Sequence, residues 1–305
     1  MPQPTVDQRP PSVAVHRHGL FSVFMPRKSR LKQLVERADA VADGAPATDT
    51  VPTGFPTLDK LLGGGMRRGD LIVLGGDVGV GKSALALAIA IRASETGRSV
   101  EFFSAEMEPE RVLERAVAIE GRASIDQLRG SEMDDETRAS VGAATLRLHE
   151  HIPKVSRMPG GGVDATSRVI KQRAGADLVV LDPLQHVASG ALAADEEIAH
   201  AVRRLKETAV SANVALLVTS HLPALKTGRE NMRPTLDDFG ALGAVKQFAD
   251  VVLGLYRDEL YAPAFGSEGA TELAILKNRT GPTTYIDLYY YKRWLRFEDM
   301  VDPDR

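Results

Sequence analysis

The sequence of 305 residues contains no cysteine. This absence excludes disulfide bonds and zinc sites with cysteine ligands, and it fits a reducing compartment. No apolar run reaches the roughly 18 residues that a membrane-spanning helix needs, and the N-terminus lacks a secretory signal pattern. The net charge is only −3, so a uniformly basic surface is excluded and any contact with nucleic acid depends on local basic positions. We therefore predict a cytoplasmic protein with no membrane partner.

The first fifty residues differ in composition from the rest. Residues 1–30 are rich in proline and glutamine at the start and basic further on, which is typical of a disordered tail; a solvated tail and a weak anchor for nucleic acid both fit. Apolar residues then recur at helical spacing over residues 31–41. We predict an amphipathic linker helix and tether over residues 31–50 and one main domain over 51–305. Because so short a helix cannot bury its apolar stripe alone, we expect it to dock on another surface.

Apolar runs alternate with helical patterns in the main domain. Nearly continuous apolar runs are typical of parallel strands that are covered on both faces. The alternation predicts an α/β fold with a mostly parallel twisted sheet, helices on both faces and an antiparallel C-terminal edge. The predicted strands are 71–74, 100–103, 178–181, 214–218 and 251–255, with the edge pair 271–276 and 284–288; the predicted helices are 83–93, 109–119, 136–149, 165–174 and 196–210.

A glycine-rich loop follows the first of these strands. Its sequence GDVGVGKS fits G-x-x-x-x-G-K-[ST], with a strand before it and a helix after it. Such glycines let backbone N–H groups surround phosphate oxygens at a helix N-terminus. We expect Lys82 to reach the β- and γ-phosphates of a nucleoside triphosphate and the Ser83 hydroxyl to bind Mg²⁺. The predicted nucleotide-binding residues are Gly76, Asp77, Val78, Gly79, Val80, Gly81, Lys82, Ser83 and Ala84.

Three polar side chains follow predicted strands at the edge of the sheet where parallel strands place their ligand sites. Asp182 fits the acid beside Mg²⁺, although an aspartate before Pro183 also fits a turn. Glu106 fits a base for the attacking water, although glutamate is also common in the first turn of a helix. His221 fits a hydrogen bond to the γ-phosphate, although a lone histidine is often a surface or capping residue. Spacing alone leaves each pair of interpretations open.

An ordered series of segments runs through residues 51–298. Besides the glycine-rich loop, the segments are PTGFPTLDKLLGGGMRRGDLIVLGG, EFFSAEM, EGR, LVVLDPLQ, EIAHAVRRLKETAVSANVALLVTSHL, RPTLDDFGALGAVKQFADVVLGLYRDELY and LAILKNRTGP. Through these segments the chain resembles the C-terminal motor domain of DnaB-type replicative helicases, in the RecA-like ATPase superfamily. No single segment is decisive, but their order is.

The resemblance implies a role for each candidate. It makes ATP the nucleotide, Glu106 the residue that activates water, Asp182 a magnesium-side acid together with Ser83, and His221 the γ-phosphate sensor. Arg279 matches the arginine finger that reaches the ATP of a neighbouring subunit, and Lys277 matches its companion. By spacing alone, Lys277 and Arg279 are two alternating charges on an edge strand, most often a solvated face. The family's linker helix docks on the adjacent subunit, so the resemblance implies a homo-hexameric ring.

The chain departs from the family pattern in two places. The helical domain that normally precedes the motor and binds primase is replaced by about thirty residues of tail, so we do not expect primase binding by the usual route. The loop that contacts DNA in the family reads Gly240-Ala241-Leu242-Gly243 here, without its usual charges. Backbone N–H groups still fit DNA phosphates, and a flexible surface loop is the other interpretation. The predicted DNA contacts are Lys226, Arg229, Gly240, Ala241, Gly243 and Lys246, with Arg233 as further positive charge.

The leading prediction is an ATP-dependent, ring-forming motor that moves on single-stranded DNA. The alternative is a RecA-, RadA- or KaiC-like ATPase switch without helicase activity, which the uncharged loop favours. A small-molecule kinase fits worst, because it needs neither a finger from a neighbour nor a docking helix.

Overall fold

A computed structural model describes residues 30–43, 49–130, 132–173, 175–188, 194–225, 228–261 and 268–300. The chain divides into two compact units, Met1–Thr48 and Asp49–Arg305. In the first unit, helix α1 covers Arg30–Ala42 and includes the predicted helix 31–41. Its apolar side chains Leu31, Leu34 and Val41 are exposed. The predicted basic tail and most of the predicted tether lie outside the described residues.

The second unit alternates strands and helices as predicted. Its helices are α2 Pro56–Leu61, α3 Lys82–Glu95, α4 Pro109–Gly121, α5 Ile125–Leu128, α6 Asp135–Glu150, α7 Gly162–Gln172, α8 Ala194–Ala212 and α9 Ala244–Phe248. Its strands are β1 Thr50–Val51, β2 Met66–Arg67, β3 Leu71–Gly76, β4 Val100–Ser104, β5 Lys154–Arg157, β6 Leu178–Asp182, β7 Ala215–Ser220, β8 Val251–Arg257, β9 Ala270–Asn278, β10 Tyr285–Tyr291 and β11 Arg296–Asp299. Among the described residues, no helix is both long and apolar enough to cross a membrane.

The central sheet has nine strands in the order β11-β10-β9-β8-β3-β7-β6-β4-β5. Strands β3 to β8 are parallel to one another, whereas β9, β10 and β11 are antiparallel additions. This arrangement confirms the predicted fold class. Because β9 runs against β8, its last residue Asn278 pairs with Val251, the first residue of β8. Residues that follow β9 therefore lie at the amino edge of the parallel strands, opposite the loops that follow their carboxyl ends.

Two apolar layers cover the two faces of the sheet. On one face, Ile72 and Leu74 pack in a cluster with α3 and α4. On the other face, Leu71 and Val73 pack in a cluster with α7, α8 and α9. Helix α3 is buried nearly all round, which its run of alanine, leucine and isoleucine permits. The two layers fix the ends of β3, β4, β6 and β7, and these ends position the candidate site.

Candidate functional site

The glycine-rich loop joins β3 to α3, as the motif predicted. Gly79 and Gly81 have φ angles of +77° and +108°, a region that side chains with a Cβ rarely adopt. A Cβ on Gly76 would lie 2.7 Å from Val80 Cγ1, so the turn is too tight for a larger residue. The loop leads directly into the N-terminus of the 14-residue α3, where unpaired N–H groups favour an anion.

Lys82 lies folded against its own loop. Its Nζ donates a hydrogen bond to the Asp77 carbonyl oxygen at 2.9 Å. Burial lowers the pKa of this lysine, since the charged form is poorly solvated. A phosphate anion at the loop would stabilise the charged form, so the lysine fits the phosphate contact predicted for it.

Two residues far along the chain support the loop, and no spacing pattern in the sequence pointed to either. The Tyr261 hydroxyl donates to Asp77 Oδ2 at 2.8 Å, while Asp77 Oδ1 accepts from the Val78 N–H at 2.7 Å. The buried Arg257 donates from Nη1 to the Gly79 carbonyl oxygen at 3.3 Å. Arg257 ends β8 and Tyr261 comes shortly after it, and β8 pairs with β3, the strand that precedes the loop. The pairing of these two strands therefore positions both side chains to support the loop.

Asp182 ends β6 and is buried. Its Oδ1 accepts hydrogen bonds from Ser83 Oγ at 3.0 Å and from Thr219 Oγ1 at 2.5 Å. Its Oδ2 is buried without a hydrogen-bond partner among the described residues. Burial raises the pKa of this carboxyl, which a nearby cation would oppose.

These oxygen donors fit Mg²⁺. Magnesium in phosphate sites takes one or two protein oxygens and fills its shell with phosphate and water. Ser83 and Asp182 offer such oxygens next to the phosphate loop. No group of three or more histidine or acidic side chains in the described part of the chain is placed to hold a metal by itself. The donor set therefore fits a magnesium ion that arrives with a nucleotide, not a metal held by protein alone.

Glu106 and His221 meet at the same edge. Glu106 Oε1 lies 3.3 Å from His221 Nε2, and both side chains are partly exposed. The N–H of His221 donates to Gln185 Oε1 at 3.2 Å, and Gln185 Nε2 donates to Ser220 Oγ at 3.1 Å. His221 Nδ1 is buried without a partner in the described structure. Sequence reasoning placed Glu106 and His221 at one edge but missed Gln185, which links the ends of β6 and β7.

Arg279 and Lys277 lie at the opposite edge of the sheet. Arg279 follows β9 and pairs with Asp250, which precedes β8, through Nε and Oδ1 at 2.8 Å. Lys277 Nζ donates to the Lys246 carbonyl oxygen at 2.7 Å. The six residues of β3 separate this edge from the phosphate loop by about 20 Å. One chain therefore does not bring Arg279 to its own phosphate loop.

Residues 50–299 match the family model for the DnaB-like helicase C terminal domain. The chain belongs to this family. Similar curated proteins include the replicative DNA helicase DnaC of Bacillus subtilis, which is 29% identical over 92% of this chain and 63% of its own length. The replicative DNA helicase DnaB of Geobacillus stearothermophilus is 29% identical over 82% of this chain and 56% of its own length. The chain thus spans about six tenths of the length of these relatives.

Solved structures of the DnaB-like type share the fold. A structure described as an ATPase domain superposes with a TM-score of 0.81 and 24% identity, covering 90% of this chain and 99% of its own. A DnaB-like replicative helicase, described together with its interactions with primase, gives a TM-score of 0.79 at 24% identity, covering 90% of this chain and 68% of its own. At this identity the likeness establishes the fold alone.

The loop of residues 240–243, which was predicted to contact DNA, is held in an unusual conformation. Residues 240–243 all have positive φ angles, and two of them, Ala241 and Leu242, are not glycine. The Ala241 N–H donates to Asp195 Oδ1 at 3.1 Å, which ties the loop to the start of α8. Leu242 is 67% exposed. Left-handed backbone at non-glycine residues costs free energy and is concentrated at functional sites.

The basic residues around this loop are paired with acids. Arg229 Nη1 donates to the buried Asp238 at 2.8 Å, Lys246 Nζ lies 3.5 Å from Asp237 Oδ1, and Arg233 forms a two-point ion pair with Glu272. Lys226 lies outside the described residues. Arg229, Arg233 and Lys246 thus have acidic partners, and the loop 240–243 itself presents backbone groups and an exposed leucine.

Proposed function

We propose that the protein is an ATP-dependent motor that assembles as a homo-hexameric ring and translocates on single-stranded DNA. The observation that carries the proposal is the placement of the two halves of the ATPase site at opposite edges of one sheet. A head-to-tail interface between copies joins such edges, and it closes into a ring when the rotation allows. The similarity to replicative helicases supports this assignment.

The phosphate loop and Lys82 bind the phosphates of ATP in this scheme. Ser83 and Asp182 would hold Mg²⁺, which would supply positive charge beside the phosphates when it is bound. Binding would replace the present contact of Lys82 with its own loop and would give Asp182 Oδ2 a partner. Asp182 Oδ2, which is buried without a partner among the described residues, is thus an atom that the bound magnesium ion would use.

Glu106 orients and polarises the attacking water, and His221 responds to the γ-phosphate. Glu106 Oε1 and His221 Nε2 lie 3.3 Å apart, so a phosphate that engages His221 would compete for this contact. His221 is followed by Leu222, which lies against Phe239, and Phe239 directly precedes the loop 240–243. This packing gives a short physical route from the phosphate to the loop.

Arg279 of one copy completes the pocket of the next copy, with Lys277 beside it. Positive charge supplied in trans to the transferred phosphoryl group is worth about 10³- to 10⁵-fold in rate. Hydrolysis would therefore depend on the neighbour being in place. Helix α1 supports the same assembly by docking its exposed apolar side chains Leu31, Leu34 and Val41 on an adjacent copy.

The loop 240–243 is the proposed DNA contact. Its backbone N–H groups suit phosphates, and Leu242 offers an apolar contact to a base or a sugar. Since Arg229 and Lys246 are paired with acids, we expect weaker binding and a shallower salt dependence than a loop with free basic residues would give.

A second candidate is an ATPase switch that moves no DNA. The observation that favours it is the same charge pairing, because a loop without free positive charge binds DNA weakly. Family membership favours the motor.

ATP turnover measured with and without single-stranded DNA, together with the mass of the assembly, separates the two. The motor predicts a hexamer whose ATP turnover rises several-fold when single-stranded DNA is added. Raising the salt concentration should weaken the binding of that DNA by about tenfold or more. A turnover that is indifferent to DNA in an intact ring would support the switch. A monomer with full turnover would contradict both.

A further inference from the structure

Asp250 is held from three directions. Its side chain is 4% exposed. Oδ2 accepts hydrogen bonds from the Leu71 N–H at 2.9 Å and from Lys206 Nζ at 2.5 Å. Oδ1 accepts from Arg279 Nε at 2.8 Å. Strand β3, helix α8 and the end of β9 therefore all meet at one carboxylate, whose position is fixed.

Arg279 is tied to Asp250 at two points. Its backbone N–H donates to the Asp250 carbonyl oxygen at 2.9 Å, and its Nε donates to the carboxylate. The rest of the side chain is open, with 53% of it exposed. Its two terminal amino groups have no partner among the described residues. Because the guanidinium is planar, one contact at Nε fixes its plane. The two terminal amino groups, which form the outer fork of the guanidinium, remain for a phosphate.

Asp177 provides a comparison within the same molecule. It precedes β6 as Asp250 precedes β8, and it too exchanges backbone and side-chain hydrogen bonds with the start of a neighbouring strand, at Ser99. Its arginine, Arg68, pairs with it through Nη2 and donates from Nη1 to two backbone carbonyl oxygens. The fork of Arg68 is thus used within the chain, and its side chain is 23% exposed. Asp177 also lies 3.8 Å from Arg98 Nη1, so it has two arginine partners whereas Asp250 has Arg279 and Lys206. Of Arg68 and Arg279, it is Arg279 whose terminal amino groups have no hydrogen-bond partner among the described residues.

We infer that Asp250 is a positioning residue that orients Arg279 toward the phosphates bound by a neighbouring copy, with Lys206 holding Asp250 in turn. This inference rests on the proposed function. It adds that the finger is set before assembly by a buried carboxylate of its own chain. A lysine at position 279 would have one charged group for two partners and would not reproduce this arrangement.

The test compares Asp250→Asn with the matched control Asp177→Asn. Each change replaces a buried, arginine-paired carboxylate by an amide of the same size. We expect Asp250→Asn to lower kcat for ATP by about 10- to 100-fold with KM changed less than about twofold, because a misplaced group costs rate more than binding. Both substitutions should lower the melting temperature, and by similar amounts. Asp177→Asn, however, should leave kcat within about twofold of the parent value. The readouts are steady-state ATPase with single-stranded DNA, thermal melting and the mass of the ring.

A carrier experiment separates positioning from a general structural effect. Rings of parent protein are mixed with Lys82→Ala subunits, or with subunits that carry both Lys82→Ala and Asp250→Asn. Neither kind of added subunit, which we call a carrier, cleaves ATP in its own pocket. Any further loss of ATP turnover with the double-variant carrier therefore reflects the Arg279 that it donates to the neighbouring parent subunit. Coincident loss curves for the two carriers would overturn the inference.

If Asp250→Asn fails to fold or to form rings, Lys206→Met combined with Asp250→Asn takes its place, because it removes the buried carboxylate together with its half-buried cation. The same loss of kcat is expected, and unchanged kcat would overturn the inference. Arg279→Ala distinguishes the positioning role from the proposed function. If it retains full turnover, the proposed function itself is wrong; if it abolishes turnover while Asp250→Asn does not lower it, only the positioning role is wrong.

Discussion

The two edges of the central sheet carry similar side chains in different states. At the carboxyl edge, Asp182 Oδ2 and His221 Nδ1 are buried without partners in the described structure. Burial raises the pKa of Asp182 and lowers the pKa of Lys82, which favours the neutral form of each. At the amino edge, the buried carboxylates of Asp177 and Asp250 have their oxygens engaged. Beside Asp250, the terminal amino groups of Arg279 have no hydrogen-bond partner among the described residues, and 53% of that side chain is exposed. The difference supports the proposal that one edge receives a nucleotide and the other completes the site of a neighbouring copy.

The largest expected effect on ATP turnover comes from two separate substitutions, one at each edge of the sheet. Arg279→Ala should lower turnover by about 10³- to 10⁵-fold and leave ATP affinity nearly intact, because the arginine acts on the transition state of a neighbouring site. Lys82→Ala should lower both turnover and affinity, since Lys82 lies in the phosphate loop itself. Turnover assays and equilibrium binding of a fluorescent ATP analogue check both. Loss of ATP binding in Arg279→Ala would remove the distinction between the edges.

The next effect tests how the carboxyl edge is joined to the loop 240–243. A Cβ on Gly75 would lie 2.4 Å from the Phe239 ring and 2.9 Å from Leu222 Cδ2. Gly75→Ala should therefore lower the free energy of unfolding by about 1–3 kcal/mol and weaken the stimulation of turnover by DNA.

Gly142→Ala is the control for this overpacking. Gly142 lies in α6, and a Cβ at this position would have no neighbouring atom within 4 Å, so alanine should stabilise the helix by about 0.5–1 kcal/mol. Urea unfolding and DNA-stimulated turnover measure both variants. Full stimulation in Gly75→Ala would show that Phe239 does not link the two regions.

A smaller effect is expected at the amino edge, where Asp70 lies 3.9 Å from Lys206 Nζ. Burial, followed by the nearby charge of Asp250, raises the pKa of Asp70 to about 6. Because the folded-state pKa exceeds the unfolded value, ionised Asp70 destabilises the fold above pH 6, and this cost disappears as the pH falls toward 4. Asp70→Asn should raise the free energy of unfolding by about 1–2 kcal/mol at pH 8.

Urea unfolding of parent and Asp70→Asn at pH 8 and pH 5 checks this sign. The gain from the substitution should shrink at the lower pH, where the parent carboxyl is mostly neutral. A gain that is equal at both values would show that charge at the amino edge is not the cause.

The smallest effect concerns Leu242, whose φ angle of +51° disfavours a leucine. Asparagine tolerates this conformation better, so Leu242→Asn should raise the free energy of unfolding by about 0.5–1 kcal/mol. It should also weaken binding of single-stranded DNA by roughly two- to fivefold, the loss of one apolar contact. Thermal melting and fluorescence anisotropy measure the two. Unchanged DNA affinity would confine the DNA contact to the backbone.

Much of the fold was predictable because its central strands are continuous apolar runs. The runs 71–74 and 178–181 lie within β3 and β6, and the predicted helix 196–210 lies within α8. Strand β5 was missed, since Lys154–Arg157 is an edge strand of exposed and half-buried side chains with no apolar run. Charged edge strands carry little hydrophobic signal.

The site was predictable only where strand ends decide it. Parallel strands bring Glu106 and His221 to one edge, and the structure places them in contact. The pairs Arg279 with Asp250 and Tyr261 with Asp77 join positions 29 and 184 residues apart, and no spacing rule links such positions. The same holds for the acids that pair with Arg229 and Arg233 around the proposed DNA loop. Pairing of this kind depends on packing, which sequence patterns do not encode.

Each ATPase site of the proposed ring takes its two halves from different copies. Mixing Lys82→Ala subunits with Arg279→Ala subunits tests this arrangement most directly, because neither variant has a complete site by itself. In a mixed ring, roughly one seam in four joins an intact phosphate loop to an intact arginine, so turnover should reappear on mixing. Turnover that stays absent in mixed rings of verified hexameric mass would contradict the arrangement.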